Sequence, residues 1–160
     1  MSVQLRNFTT LNEAQKAMIL EWRNHPSIRA NMYNTDIISQ EEHFSFIDTL
    51  SNRDDKRYFL AQEGDHDIGV IDFNAITNIS TKLGIYANPY LNQKGIGSLL
   101  MQTLIAYAFD VLKTPTLEAE VFAHNERALH LYTKFGFQEK FRRFINEKEI
   151  ICMELDNENR

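Results

Sequence analysis

A chain of 160 residues can bury one hydrophobic core and has no room for two full domains. Its apolar residues make up 43% and its charged residues 24%, with 6 glycines and 3 prolines, which excludes a disordered or fibrous protein. With 22 acidic residues against 17 basic ones the formal net charge is −5, so the chain is poorly suited to neutralising the phosphates of a duplex, and no nucleic-acid partner is expected.

Val3, Leu5 and Phe8 among polar residues predict a first strand. Residues 12–24 predict a helix, with Ala14, Ala17, Met18 and Trp22 near a 3.6-residue period. Pro26 stops it and can open a short second helix through Asn31. Ser39, with Glu42 three residues on, reads as a capping box for a helix reaching about Ser51. Strand-like runs follow at 57–62, 68–76 and 82–87, and the Gly64-Asp65-His66-Asp67 turn makes the first two a hairpin.

Residues 97–112 predict an apolar helix. Residues 116–122 predict a strand with Leu117, Ala119 and Val121 on one side and Thr116, Glu118, Glu120 and Phe122 on the other. A helix over 125–135 has Asn125 as its N-cap and Gly136 just past its end. Two antiparallel strands, 137–145 and 149–155, close the chain. The expected fold class is α/β: one domain, residues 1–156, with a short tail at 157–160 and a mixed sheet carrying helices on both faces.

Cys152 is the single cysteine, so no internal disulfide forms, and a reducing compartment fits. Set in an apolar terminal strand, it is a weak candidate nucleophile. No run approaches the roughly 18 apolar residues of a membrane span, and residues 1–10 lack the pattern of a secretory signal. A cytoplasmic protein without a membrane partner is the expectation. His25, His43, His66, His124 and His130 show no zinc-type spacing, so no metal is expected.

Two segments carry chemistry. Asn92-Gln93-Lys94-Gly95-Ile96-Gly97-Ser98 joins a strand to an apolar helix. Its glycines let the backbone approach a ligand, and the amides at the helix start suit a pyrophosphate. A Walker A loop fails because Lys94 precedes its glycine, and a Rossmann fingerprint fails at Leu100. In the second segment Asn125, Ala128 and Tyr132 share one helix face. On spacing alone Tyr132 reads more readily as a core aromatic with a wet hydroxyl than as a reactive group.

Together the segments resemble the GCN5-related N-acetyltransferase superfamily. Gly95-x-Gly97 matches the glycines of its coenzyme A signature, and Asn125-x-x-Ala128-x-x-x-Tyr132-x-x-x-Gly136-Phe137 matches its later motif. The element order matches as well. Asn92 stands where the family has Arg or Gln three residues before the first glycine. The resemblance implies the GNAT fold, mostly antiparallel and splayed between the fourth and fifth strands, with acetyl-CoA as co-substrate. It implies coenzyme contacts from Ile85, Tyr86, Ala87, Gln93, Lys94, Gly95, Ile96, Gly97, Ser98, Asn125 and Ala128, with a backbone amide near Tyr86 or Ala87 polarising the thioester. Transfer to an amine is then direct, Tyr132 protonates the departing thiolate, and a fifth-strand carboxylate, Glu120 before Glu118, takes the amine proton.

The segments around Arg23, Met32, Tyr33, His43 and Tyr86 resemble acetyltransferases of pseudaminic acid biosynthesis, which acetylate the 4-amino group of a UDP-linked 4-amino-4,6-dideoxy sugar. That implies apolar contact to the sugar from Met32, Tyr33 and Tyr86. It also implies a diphosphate clamp from Arg23 and His43. Protein N-terminal acetylation, polyamine acetylation and a non-catalytic coenzyme A sensor are the alternatives. Exposed sheet edges make a homodimer conceivable.

Overall fold

The structure is a computed structural model and describes residues 2–160. In chain order the elements are β1 (Val3–Asn7), α1 (Glu13–Asn24), α2 (Pro26–Arg29), α3 (Gln40–Thr49), β2 (Arg57–Glu63), β3 (His66–Asn74) and β4 (Ser80–Ala87). Then come α4 (Ile96–Tyr107), β5 (Thr116–Phe122), α5 (Glu126–Lys134), β6 (Gln138–Ile145) and β7 (Lys148–Asp156). Seven strands form one sheet in the order β1-β2-β3-β4-β5-β7-β6. Every pairing is antiparallel except β4 with β5.

Alternation along the strands sends the two sets of side chains to opposite faces. Leu60 and Val70 meet Ile19 and Trp22 of α1 and Ile47 of α3 on one face. Phe59, Ala61, Ile71, Phe73, Leu117 and Ala119 meet Leu100, Met101 and Leu104 of α4 on the other, where Tyr132 of α5 also packs. One sheet is thus covered on both sides, and the apolar residues of each helix face explain which side it takes.

The local signals mostly act as read. Asn12 caps α1 with a full capping box: its side chain accepts from the Gln15 amide at 2.8 Å, and Gln15 accepts from the Asn12 amide at 3.0 Å. The expected box at Ser39 is only half made. Ser39 accepts from the Glu42 amide at 3.1 Å, but the Glu42 carboxylate accepts from the Ser39 hydroxyl at 3.2 Å and not from the Ser39 amide. α2 ends at Arg29, two residues short of Asn31. The long helix expected over 97–112 turns into a π-helical segment at Ala108–Leu112, closed by Lys113 at φ +57°. Asn146 and Glu147, both at positive φ, make the tight turn between β6 and β7.

The last residues do not hang free as a tail. The Asn157 amide donates to the Pro115 carbonyl at 3.0 Å, and Arg160 pairs with Asp110 at 2.8 Å. Among the described residues no helix is long and apolar enough to cross a membrane. Asn12→Ala removes one half of the α1 box, and it should lower stability by about 1 kcal/mol. A fall in the urea midpoint at unchanged slope checks this.

Candidate active site

The parallel ladder between β4 and β5 is three residue pairs long, Ser80–Thr116 to Lys82–Glu118. Past Lys82 each strand keeps only its antiparallel partner, β3 for β4 and β7 for β5. A gap therefore opens inside the sheet. The Asn88 amide donates back to the Ile68 carbonyl on β3 at 2.9 Å. Successive peptide groups of a strand alternate sides, so Tyr86 and Gly84 also direct their peptide groups to β3. Leu83, Ile85 and Ala87 direct theirs into the gap. Of the two amides expected to serve the thioester, only that of Ala87 faces the gap; the Tyr86 amide is committed to the ladder. The phenol ring of Tyr86 lies on the α1 face.

α4 starts at the mouth of this gap. Gly95 is its N-cap at φ +84°, a left-handed conformation that favours glycine, and no side chain caps the helix. The first-turn amides of a helix have no partner within it, so those of Ile96, Gly97 and Ser98 can bind an anion. A Cβ on Gly95 would meet nothing within 4 Å, so the loop there is open. Gly97 differs: a Cβ there would touch Leu131 of α5 at an ordinary 3.6 Å. Gln93 and Lys94 are exposed beside the turn. A residue not expected from the sequence joins them: Lys134 of α5 donates to the Ser98 hydroxyl at 2.9 Å. It brings a cation to a turn where Asn92 supplies none.

Asn125 caps α5 by accepting from the Ala128 amide at 3.2 Å. Two turns on, Tyr132 is 6% exposed, packed edge-on against Phe137. Its hydroxyl has no hydrogen-bond partner among the described residues. Burial, with Asp72 adding a like-signed charge, raises the phenol above its ordinary 10. It therefore stays protonated at neutral pH, as a proton donor must.

The α1 face of the gap gathers the remaining candidates. The loop after α2 is tied down by Arg23, which donates to the Asn34 carbonyl at 3.0 Å, and by Arg29, which donates to that of Thr35 at 3.1 Å. Its Tyr33 reaches β5, donating to Glu120 at 2.6 Å and meeting Phe122 edge-on. Met32 is half-buried beside it. The other guanidinium nitrogen of Arg23, Nη1, is buried without a partner, and the guanidinium lies near the Tyr86 phenol. His43 is not a second cation. It is buried, its Nε2 lies 3.0 Å from the Lys16 carbonyl, and burial with Arg23 and Lys16 nearby holds the ring neutral.

Glu120 is heavily engaged. Its Oε1 accepts from Tyr33, and its Oε2 faces Arg143 and, at 3.5 Å, Lys82. Burial opposes its ionisation, but these partners win and hold the carboxyl below the usual range. A carboxylate so stabilised is a weak proton acceptor and a strong anchor for the Tyr33 loop. Glu118, the alternative, pairs across from Lys82 before the strands part. Cys152 is buried beside Glu120, with its thiol raised by burial, which suits an inert core residue. No group of three or more metal-ligating side chains converges among the described residues.

The sequence profile of the acetyltransferase (GNAT) family matches residues 16–137. Acetyltransferase PseH of Campylobacter jejuni subsp. jejuni strain 81-176 is 45% identical over 135 residues, 84% of each chain. The crystal structure of Campylobacter jejuni N-acetyltransferase PseH in complex with acetyl coenzyme A superposes with a TM-score of 0.78 at 36% identity, covering 98% of this chain and 99% of that one. A spermidine N-acetyltransferase from Vibrio cholerae, bound to CoA and spermine, superposes with a TM-score of 0.87 over 98% of this chain and 96% of that one. At 21% identity that likeness is one of fold.

Glu120→Gln tests the anchor. It should lower the unfolding free energy at pH 7 by about 1 kcal/mol, the low end because Arg143 and Lys82 are open to water. The folded pKa lies below the unfolded 4.5. The difference from wild type is therefore full above 4.5 and disappears as pH falls through the folded value. Urea unfolding of both proteins between pH 3 and 7 checks it.

Proposed function

The chain belongs to the acetyltransferase (GNAT) family, and we propose that its acceptor is the 4-amino group of a UDP-linked 4-amino-4,6-dideoxy-N-acetyl-altrosamine, acetylated in pseudaminic acid biosynthesis. Acetyl-CoA is the donor. The observation that carries the acceptor assignment is Arg23. Its buried, unpartnered Nη1 beside Tyr86 on the α1 face suits an anionic acceptor such as a nucleotide diphosphate. Met32, Tyr33 and Tyr86 offer the apolar contact that a 6-deoxy sugar needs. The 45% identity to a Campylobacter acetyltransferase PseH supports the same reading.

The donor side follows from the gap. The first-turn amides of α4, with Lys134 and Ser98, hold the pyrophosphate. The edge peptides of Leu83, Ile85 and Ala87 pair with the pantetheine arm as a missing strand does. The arm enters from the α4 end and meets Ala87 first, so the Ile85 amide, farther along the same edge, polarises the thioester carbonyl. Tyr132 gives its proton to the departing thiolate, so no acyl-enzyme is needed.

Mass spectrometry after incubation with acetyl-CoA and, separately, the UDP-4-amino sugar, spermidine or a peptide with a free N-terminal serine tests the acceptor. One acetyl group on the nucleotide sugar alone is expected. Acetylation of the peptide or of spermidine instead overturns the assignment, and coenzyme binding without any acetylated amine points to a sensor. Tyr132→Phe removes a hydroxyl without a protein partner, so stability should hold. Turnover should fall about 10²- to 10⁴-fold at unchanged acetyl-CoA affinity, measured by steady-state kinetics and calorimetry. Wild-type turnover would make Tyr132 a packing residue.

A further inference from the structure

Asp72 is a buried carboxyl that none of these steps uses. It stands on β3 opposite Gly84 of β4, on the α1 face with Val70 and Tyr86. Gly84 leaves room for it: a Cβ there would fall 2.2 Å from Oδ1 and 2.5 Å from Oδ2. The carboxyl therefore lies over the bare backbone of β4, at the edge of the gap. Extending the β4–β5 register by two residues sets Gly84 opposite Glu120, where the strands have parted. The row thus runs from Tyr58 through Asp72 and Gly84 to the gap and Glu120.

The two carboxylate oxygens differ. Oδ1 accepts from the Asn74 amide at 2.7 Å. Asn74 is held in turn by Lys56 and Tyr58, each donating to its Oδ1 at 2.9 Å. Oδ2 accepts from nothing among the described residues. The fully buried unpartnered side-chain atoms among those residues are Arg23 Nη1 and Thr81 Oγ1, so Asp72 Oδ2 keeps contact with solvent. One oxygen is fixed and the other is free, at the floor of the cleft where the acceptor is placed.

We propose that Asp72 is the catalytic proton acceptor of the transfer, reaching over Gly84 to take a proton from the ammonium of the acceptor. This rests on the reading that the acceptor is an amine entering on the α1 face, whatever carries that amine. An N–H bond of the ammonium breaks and its proton goes to Asp72 Oδ2. The freed lone pair forms the C–N bond with the acetyl carbon, and the C–S bond breaks. Sulfur takes the phenol proton of Tyr132. The surplus proton on the new amide nitrogen leaves to water, and water restores the phenol. When Asp72 re-ionises, the net product is one proton in solution.

The surroundings match the task. Asp72 stands beside Tyr58 of β2 and Asn74 of its own strand, and its charge is felt at Tyr58, at Tyr86 of β4 and, from the other face, at Tyr132 of α5; Lys56 acts on it in turn, with Arg23 of α1 beyond Tyr86. Burial dominates over Asn74 and Lys56 and raises the carboxyl to about 7. Such a group is half ionised at neutral pH and is a far better base than Glu120.

The test is the pH profile of kcat/KM for wild type and Asp72→Asn, with whichever amine the mass spectrometry identifies. Wild type should show a rising limb with an apparent pKa near 7. Asp72→Asn should lose that limb and fall about 10²- to 10⁴-fold at pH 7, with acetyl-CoA affinity unchanged. Its deficit should shrink as pH climbs toward the pKa of the amine, because the free amine then needs no base. A merely structural Asp72 gives a deficit that does not change with pH, and this overturns the proposal. So does a variant with wild-type rate. Should the variant fail to bind acetyl-CoA, carbon-13 NMR of aspartate carboxyls in the native enzyme decides. A carboxyl titrating near 7 and perturbed by acceptor supports the role, and its absence overturns it. If the nucleotide sugar is inert and another amine reacts, the acceptor reading fails while this test still runs.

Discussion

Everything in the site depends on two strands that pair for three residues and then part. Sheets normally satisfy interior peptide groups with a neighbouring strand. Here β3 holds β4 from Lys82 to Ala87 and β7 holds all of β5 on the far side. The opening therefore does not loosen the sheet, and the peptide groups that line it remain rigidly placed. An interior edge accepts an extended ligand as a strand would, while the flanking strands supply the fixed geometry that catalysis requires.

The two faces of the sheet then divide the work. α4 and α5 lie on one face, with the amides of Ile96 to Ser98 at the helix start and Tyr132 two turns into its own helix. α1, α3 and the loop carrying Met32 and Tyr33 lie on the other, with Arg23 and Glu120 fixing that loop. In the proposed function the donor approaches from the first and the acceptor from the second, and they meet where the strands separate. The Asp72 carboxyl fits this division and has a thermodynamic cost. Its folded value of about 7 against an unfolded 3.8 means that the fold favours the protonated form. Stability from this group is full below 3.8 and is lost as pH rises through about 7, on the order of 4 kcal/mol at most.

Much of this could be read from the residues because it is local. The bounds of β5, the cap at Asn125 and the glycine after α5 all follow from side chains acting within a few positions of themselves. What escaped is long-range. Whether Tyr86 or Ala87 turns its amide to the gap depends on the β3–β4 register, which no single strand specifies. Lys134 meets Ser98 only because α5 packs beside α4. His43 follows the helical pattern of α3 and gave no sign that its ring would be spent on the Lys16 carbonyl. Asp72, inside the apolar run of β3, shows its character only once Gly84 is set opposite it.

Gly84 also bears on how this chain can change. A methyl group at that position and the carboxyl of Asp72 compete for the same volume. Substitutions at 72 and 84 should therefore be strongly non-additive: an alanine at 84 is harmful while aspartate remains at 72, and far milder once a small residue replaces it. The route by which a descendant sequence could acquire a side chain at 84 is thus ordered, since position 72 must give way first.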